Sequence, residues 1–216
     1  MKKEEREKLL KQKLIDMSVY EDRLYAEGIS TVAGVDEVGR GPLAGPVLAA
    51  CVVLPRDWDI PGLDDSKKLS EKRRNEMFET VSQRALAIGI GMADNNVIDE
   101  INILNATKMA MRQAVAEAEK QLGETIGHIL VDALTIDGID NAQTGIIKGD
   151  SKSISIAAAS IIAKVTRDEM MQKYALQYPH YAFESNKGYG TKAHYQGISE
   201  HGITPIHRKS FLKGIL

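Results

Sequence analysis

One cysteine in 216 residues excludes a disulfide framework and any cysteine-rich metal centre. Cys51 lies inside Val47-Leu-Ala-Ala-Cys-Val-Val-Leu54, where a thiol reads as a small buried hydrophobe. No apolar run reaches about 18 residues, so no membrane-spanning helix is expected. The charged N-terminus lacks the apolar stretch of a secretory signal. A soluble, cytoplasmic protein with no membrane partner is the expectation. A strong excess of one charge is missing too: the formal net charge is −2, which by itself does not mark a nucleic-acid binder. The length favours one domain with room for a small extra element, and 43% hydrophobic residues can fill a substantial core.

Carboxylates are present in unexpected places. Val32-Ala-Gly-Val-Asp-Glu37, His128-Ile-Leu-Val-Asp132 and Ile146-Ile-Lys-Gly-Asp150 each run an apolar strand into an acid. Any one Asp could be a cap or turn former. Side by side, such acids repel one another and call for hard divalent cations held by oxygen ligands. A carboxylate cluster holding two such ions suits phosphodiester chemistry. Charge distribution points the same way. Residues 148–216 carry ten Lys/Arg against five Asp/Glu, and four of the five histidines. A basic half beside an acidic cluster suits a phosphate-rich ligand, although ordinary solvated faces would give the same count.

Residues 2–28 are charged and helix-prone, with Leu9, Leu10, Leu14, Ile15, Met17 and Tyr20 at helical spacing. They predict an N-terminal helical extension (1–28), packed or projecting, that Gly28 ends. The remaining chain (29–216) predicts strands at 31–35, 46–54, 85–92, 128–131 and 145–147. Helices are predicted from Ser70, over 97–123 and over 153–178, the last with polar Lys164, Arg167 and Asp168 on its wetter turns. Short early connections predict antiparallel pairing, and a long later helix predicts a parallel crossover. The expected fold is α/β, a mixed, mainly five-stranded sheet flanked by helices, with a C-terminal helical segment.

Gly39-Arg40-Gly41 with Ala44 fits a loose dinucleotide pattern, but Pro42, Pro46 and a following strand deny it the helix that pattern needs. A tight loop whose amides meet a ligand closely is the better reading. Asp64-Asp65-Ser66-Lys67 is either a capped helix start or a phosphate contact by Ser66 and Lys67. Lys148-Gly-Asp150-Ser-Lys152-Ser153 alternates acid, base and hydroxyl before an apolar helix, again as caps or as a phosphate grip. Tyr189, between two glycines, has no apolar company and could stack on a sugar or base. His207-Arg208 either contacts phosphate or packs the tail.

Taken together, these segments resemble ribonuclease HII. The resemblance rests on Val32–Val47, Asp65-Ser-Lys-Lys-Leu69, Asn105-Ala-Thr-Lys-Met-Ala110, Lys148-Gly-Asp150, Ile156–Asp168, Lys187-Gly-Tyr-Gly-Thr191 and Ile206-His-Arg208, in order and in register. It implies a ribonuclease H-like fold. It also implies endonucleolytic cleavage of RNA in RNA–DNA hybrids and nicking at single ribonucleotides embedded in duplex DNA, by a monomer using two Mg²⁺ or Mn²⁺ ions. By position, Asp36, Glu37, Asp132 and Asp150 match the family's metal-binding acids. Gly39-Arg40-Gly41 matches the loop that reads the 2′-hydroxyl, and Tyr189 the tyrosine under the adjacent deoxyribose. Lys67 and Lys152 fall at phosphate-contact positions. Successive strand residues face opposite ways, so Glu37 joins the site only if its strand ends or bulges there. One departure is visible: Ala133 follows Asp132, where many members carry glycine. Two rivals remain, a two-metal nuclease of the same fold without junction specificity and a binding domain with a decayed site.

Overall fold

The computed structural model describes residues 3–214. The expected segments 1–28 and 29–216 thus reach four residues (1, 2, 215 and 216) that lie outside the described part. Two helices open it, α1 (Lys3–Met17) and α2 (Val19–Ala26). The single expected helix is interrupted at Ser18, whose hydroxyl donates to the Leu14 carbonyl (2.8 Å). Gly28, with φ 89°, closes α2. The pair packs on the body. Leu14 and Met17 join the main core and Leu24 a second cluster. An ion pair from Lys13 reaches Asp64.

Then follow β1 (Val32–Val38), β2 (Val47–Val53), α3 (Glu71–Arg84), β3 (Ala87–Ala93), α4 (Asn95–Leu122), β4 (His128–Asp132), β5 (Gln143–Ile146), α5 (Ile154–Gln177), α6 (Phe183–Asn186) and α7 (Lys192–His201). Side-chain oxygens of Ser70, Asp94, Ser153 and Thr191 cap α3, α4, α5 and α7 by accepting backbone N–H groups. The expected helix over 97–123 is two segments. Asn102 (φ 67°, ψ 165°) breaks it, and its Oδ1 accepts from the Leu104 and Asn105 amides to start the second. Among the described residues, no helix is long and apolar enough to cross a membrane.

The sheet order is β3-β2-β1-β4-β5. The β1–β2 and β2–β3 pairs are antiparallel, and β1–β4 and β4–β5 are parallel. That is the mixed sheet expected. Helix α4 covers one face and α5 the other, so every residue of β2 is buried and the usual alternation vanishes. Both helices lie at backbone contact distance. A Cβ on Gly34 of β1 would sit 2.0 Å from the Ser155 carbonyl carbon, and one on Gly89 or Gly91 of β3 would sit 1.9 Å from α4 carbonyl oxygens. A smaller core of Leu43, Met171, Phe183 and Ile198 joins the 39–46 loop to the C-terminal helices.

The clash at Gly34 is with backbone on both sides, which has no rotamer to yield. Gly34→Ala is expected to cost about 3 kcal/mol or more, the upper end for overpacking. Urea unfolding checks this, and a loss below about 1 kcal/mol would show that α5 can retreat.

Candidate active site

Strands β1 and β4 pair from Val32↔His128 to Val35↔Val131, and pairing stops there. Asp36 and Asp132 are the next residue of each strand, beyond the last pair. Strand β5 ends beside Asp132 at Ile146. Lys148, at φ 57°, then turns the chain so that Asp150 enters a 3-10 turn (Gly149–Ser151). The Gly149 amide donates to Asp132 Oδ1 at 2.7 Å. Three acids thus stand at the carboxyl ends of parallel strands, the usual ligand edge of an open α/β sheet. Glu37 arrives differently. The β1–β2 ladder runs on without a bulge through Glu37↔Ala49 and Val38↔Leu48. Its strand ends only on the β4 side, and that open edge leaves Glu37 within the electrostatic reach of Asp132.

The site is short of positive charge. Burial, then the neighbouring charges of Glu37 and Asp132, raise the Asp36 pKa well above the usual carboxylate range. Asp36 Oδ1 accepts from the Glu37 amide (2.8 Å), and the nearby Ser160 hydroxyl of α5 opposes the rise. Burial also raises Glu37, against the opposing pull of Arg40, which donates to Oε1 at 3.3 Å. Glu37 Oε2 is buried with no hydrogen-bond partner. Asp150 is raised by burial and by Asp65 and Asp132. Partial desolvation pulls the Lys67 pKa down, yet Asp36, Asp65, Asp150 and Asp132 together raise it. Among the described residues, no three acids or histidines converge closely enough to hold a metal as they stand. The donor set fits one in its chemistry: all oxygen, mutually repelling, with an unpartnered buried carboxylate oxygen on Glu37.

Beside the acids lies the glycine loop. Gly39 has φ 91°, and a Cβ there would lie 2.2 Å from Arg167 Nε. At Gly41 a Cβ would meet Tyr189 Cε1 at 3.4 Å, so the 47%-exposed Tyr189 ring stands next to the loop. Lys67, Lys152 and Arg40 are exposed. Three sequence expectations need correcting. Ser66 is buried, and its hydroxyl bonds Ser160 Oγ (2.9 Å), linking back to Asp36; its side chain offers phosphate no free group. His207 and Arg208 are 1% and 0% exposed, so direct phosphate contact by their side chains does not fit. Arg208 donates instead to the carbonyls of Gly45 (2.9 Å), Arg40 (2.9 Å) and Gly39 (2.6 Å). Arg167, expected on a wet turn, is also fully buried. It donates to the Pro46, Lys187 and Ala44 carbonyls. Burial pulls these guanidinium pKa values down, to about 10 for Arg167 and about 9 for Arg208, which leaves both charged at neutral pH.

Ser160, Asp65 and Arg167 were given no role in the site from the sequence. Ser160 had a signal, a lone hydroxyl in the middle of the buried run Ile156–Ala163.

The family model for ribonuclease HII matches residues 33–213. The chain belongs to the ribonuclease HII family. It is 56% identical to ribonuclease HII of Clostridioides difficile (strain 630) over 205 residues, which are 95% of this chain and 79% of that one. It is 54% identical to ribonuclease HII of Bacillus subtilis (strain 168) over 211 residues, 98% of this chain and 81% of that one. The crystal structure of ribonuclease H2 from Pyrococcus horikoshii OT3 superposes with a TM-score of 0.68 at 28% identity, covering 86% of this chain and 96% of that chain. The ribonuclease H-like fold follows, as does membership in a class of divalent-metal-dependent endoribonucleases. Ala133, the departure from the family's glycine, adopts φ 53°. A non-glycine residue thus occupies a left-handed turn here, with strain.

Ala133→Gly relieves about 1–2 kcal/mol of left-handed strain against an unfolded-state penalty of roughly 0.4–1 kcal/mol. A net gain of about 0.5–1 kcal/mol is expected from denaturant unfolding. The Asp36 carboxylate makes a pH-dependent prediction. Its pKa is raised in the fold, so the stability it contributes in acid is lost as pH rises through the folded value. In EDTA, Asp36→Asn should melt above the parent at pH 7, with the gap closing toward pH 4. Mg²⁺ should lift the parent's melting temperature and barely move the variant's. A gap independent of pH would count against the charged pocket.

Proposed function

We propose that this enzyme hydrolyses the RNA strand of RNA–DNA hybrids and nicks duplex DNA on the 5′ side of a single embedded ribonucleotide, leaving 5′-phosphate and 3′-hydroxyl ends. One observation carries the reading: an acid cluster at the β1/β4/β5 ends lies beside a glycine loop whose Gly41 faces the exposed ring of Tyr189. Asp36, Glu37, Asp132 and Asp150 would hold Mg²⁺ or Mn²⁺. Two such ions, when bound, supply an activated water and stabilise charge on the leaving oxygen. Asp36 and Asp132 stand side by side at the strand ends and would both face a bound cation.

The rest of the assignment belongs to the chain's own groups. Without a side chain, Gly39 and Gly41 let the loop backbone approach a ribose closely. Only RNA carries a 2′-hydroxyl, so a loop that bonds it discriminates by sugar and not by base. Arg40, tethered to Glu37, ties this loop to the acids. Tyr189 stacks under the neighbouring deoxyribose, and Lys67 and Lys152 meet phosphates. Residues 29–216 form the catalytic unit and 1–28 an appended extension, acting as a cytoplasmic monomer.

A labelled duplex with one ribonucleotide tests this, against all-DNA and EDTA controls. The expected product is one nick 5′ to the ribonucleotide, absent from both controls. Cleavage of all-RNA/DNA hybrid with no nick would keep the acids' role and discard the loop's. Asp132→Asn should lower the rate roughly 10²–10³-fold, the scale of losing one charge-stabilising group, with the fold retained by circular dichroism.

A further inference from the structure

His207 and Arg208 are consecutive, buried and used by none of the roles assigned so far. Arg208 holds the Gly39 and Arg40 carbonyls of the glycine loop. His207 leads to the other half of the reader. Its Nδ1 lies 2.8 Å from both the Thr204 amide and the Thr204 hydroxyl; the amide can only donate, so that nitrogen carries no proton. Neutral His207 must then be protonated on Nε2, which lies 3.0 Å from His194 Nε2. His194 Nε2 therefore accepts, and His194 carries its proton on Nδ1, 2.9 Å from the Tyr189 carbonyl. One backbone amide thereby fixes both tautomers and the direction of the whole chain, from Thr204 through His207 and His194 to Tyr189.

Both rings are at most 1% exposed and sit against Tyr181 and Phe183. Desolvation favours the neutral rings that this chain requires, and it lowers the pKa of each. Asn186 O accepts from the Tyr189 amide, on the other side of the Tyr189 Cα. The Tyr189 backbone is held on both sides while its ring stays exposed.

We propose that His207 and Arg208 form one positioning unit for junction recognition, with Arg208 setting the glycine loop and His207 setting Tyr189 through the one-directional His207–His194 hydrogen-bond chain. The spacing between a 2′-hydroxyl reader and a deoxyribose platform is then fixed by two neighbouring residues of one buried segment. This rests on the proposed roles of the glycine loop and Tyr189.

The tautomers can be measured on the unaltered protein by two-bond ¹H–¹⁵N correlation at pH 7. Expected are a neutral His207 with Nε2–H and a neutral His194 with Nδ1–H. The opposite tautomer on either ring, or a cationic ring, overturns the proposal. Kinetics supply the functional arm. His194→Phe should lower kcat/KM on a single-ribonucleotide duplex about tenfold more than on an RNA/DNA hybrid, mainly through KM, as expected for a displaced binding group. His194→Asn restores a donor near the Nδ1 position and should recover most of that difference. Equal losses on both substrates would leave only a fold-supporting role and overturn the proposal. Tyr189→Ala separates the two ideas. If it discriminates between substrates and His194→Phe does not, the positioning unit alone fails. If Tyr189→Ala does not discriminate, the junction reading fails and takes the positioning unit with it.

Discussion

The contact between Gly34 and α5 is the constraint on which the site depends. A helix against a sheet ordinarily stands off by its side chains. Here the strand offers none, and the Ser155–Ile156 backbone takes the space. Two residues on, Asp36 points to the same face. Two strand residues span about 6.6 Å, and the five helix residues from Ser155 to Ser160 about 7.5 Å. Strand and helix advance together, which brings the Ser160 hydroxyl to Asp36 and, through it, Ser66. The close approach that fixes the core also fixes the orientation of its most deeply buried acid.

The substrate-facing half is organised by a different interaction. The Gly39–Pro46 loop has few side chains with which to pack, so its carbonyls are used. Arg208 and Arg167 together donate to five of them between Gly39 and Pro46, and Arg167 ties in Lys187 as well. A guanidinium presents several donors in one rigid plane, which suits a row of carbonyls better than the single ammonium of lysine does. Such bonds fix the loop from behind, and its Leu43 and Gly45 amides donate to the Gly188 and Ile206 carbonyls.

What the sequence disclosed and what it hid follow from the same physics. Strands β1, β2 and β4 were legible because runs such as Val47–Leu54 are apolar throughout, as strands buried on both faces must be. The acids were legible because an Asp closing such a run is out of place. The Ser18 break was hidden, since a serine inside a charged helical stretch resembles any exposed turn. So was Asn102, whose left-handed conformation no local spacing announces. Arg167 was misread because periodicity treats an arginine as a wet residue. Only the fold brings a row of carbonyls to it. His207-Arg208 left two readings open, and the choice between them needed the loop 163 to 169 residues upstream.

Two buried side-chain oxygens lack a hydrogen-bond partner among the described residues, and both are carboxylate oxygens, on Glu21 and Glu37. They make an informative contrast. Glu37 lies among other acids, and its orphan oxygen suits the cation proposed for that site. Glu21, from the N-terminal extension, has no such neighbours. Its Oε1 accepts from Ser153 Oγ (2.6 Å) and the Ser155 amide (3.0 Å) at the start of α5. Burial raises its pKa, and those bonds pull the other way. A helix N-terminus carries partial positive charge that partly offsets a buried anion. The extension is thereby anchored three residues after Asp150 and at the same backbone that meets Gly34. Whatever loosens α2 therefore loosens the α5 start that positions the site, so an element outside the matched family region bears on the geometry within it.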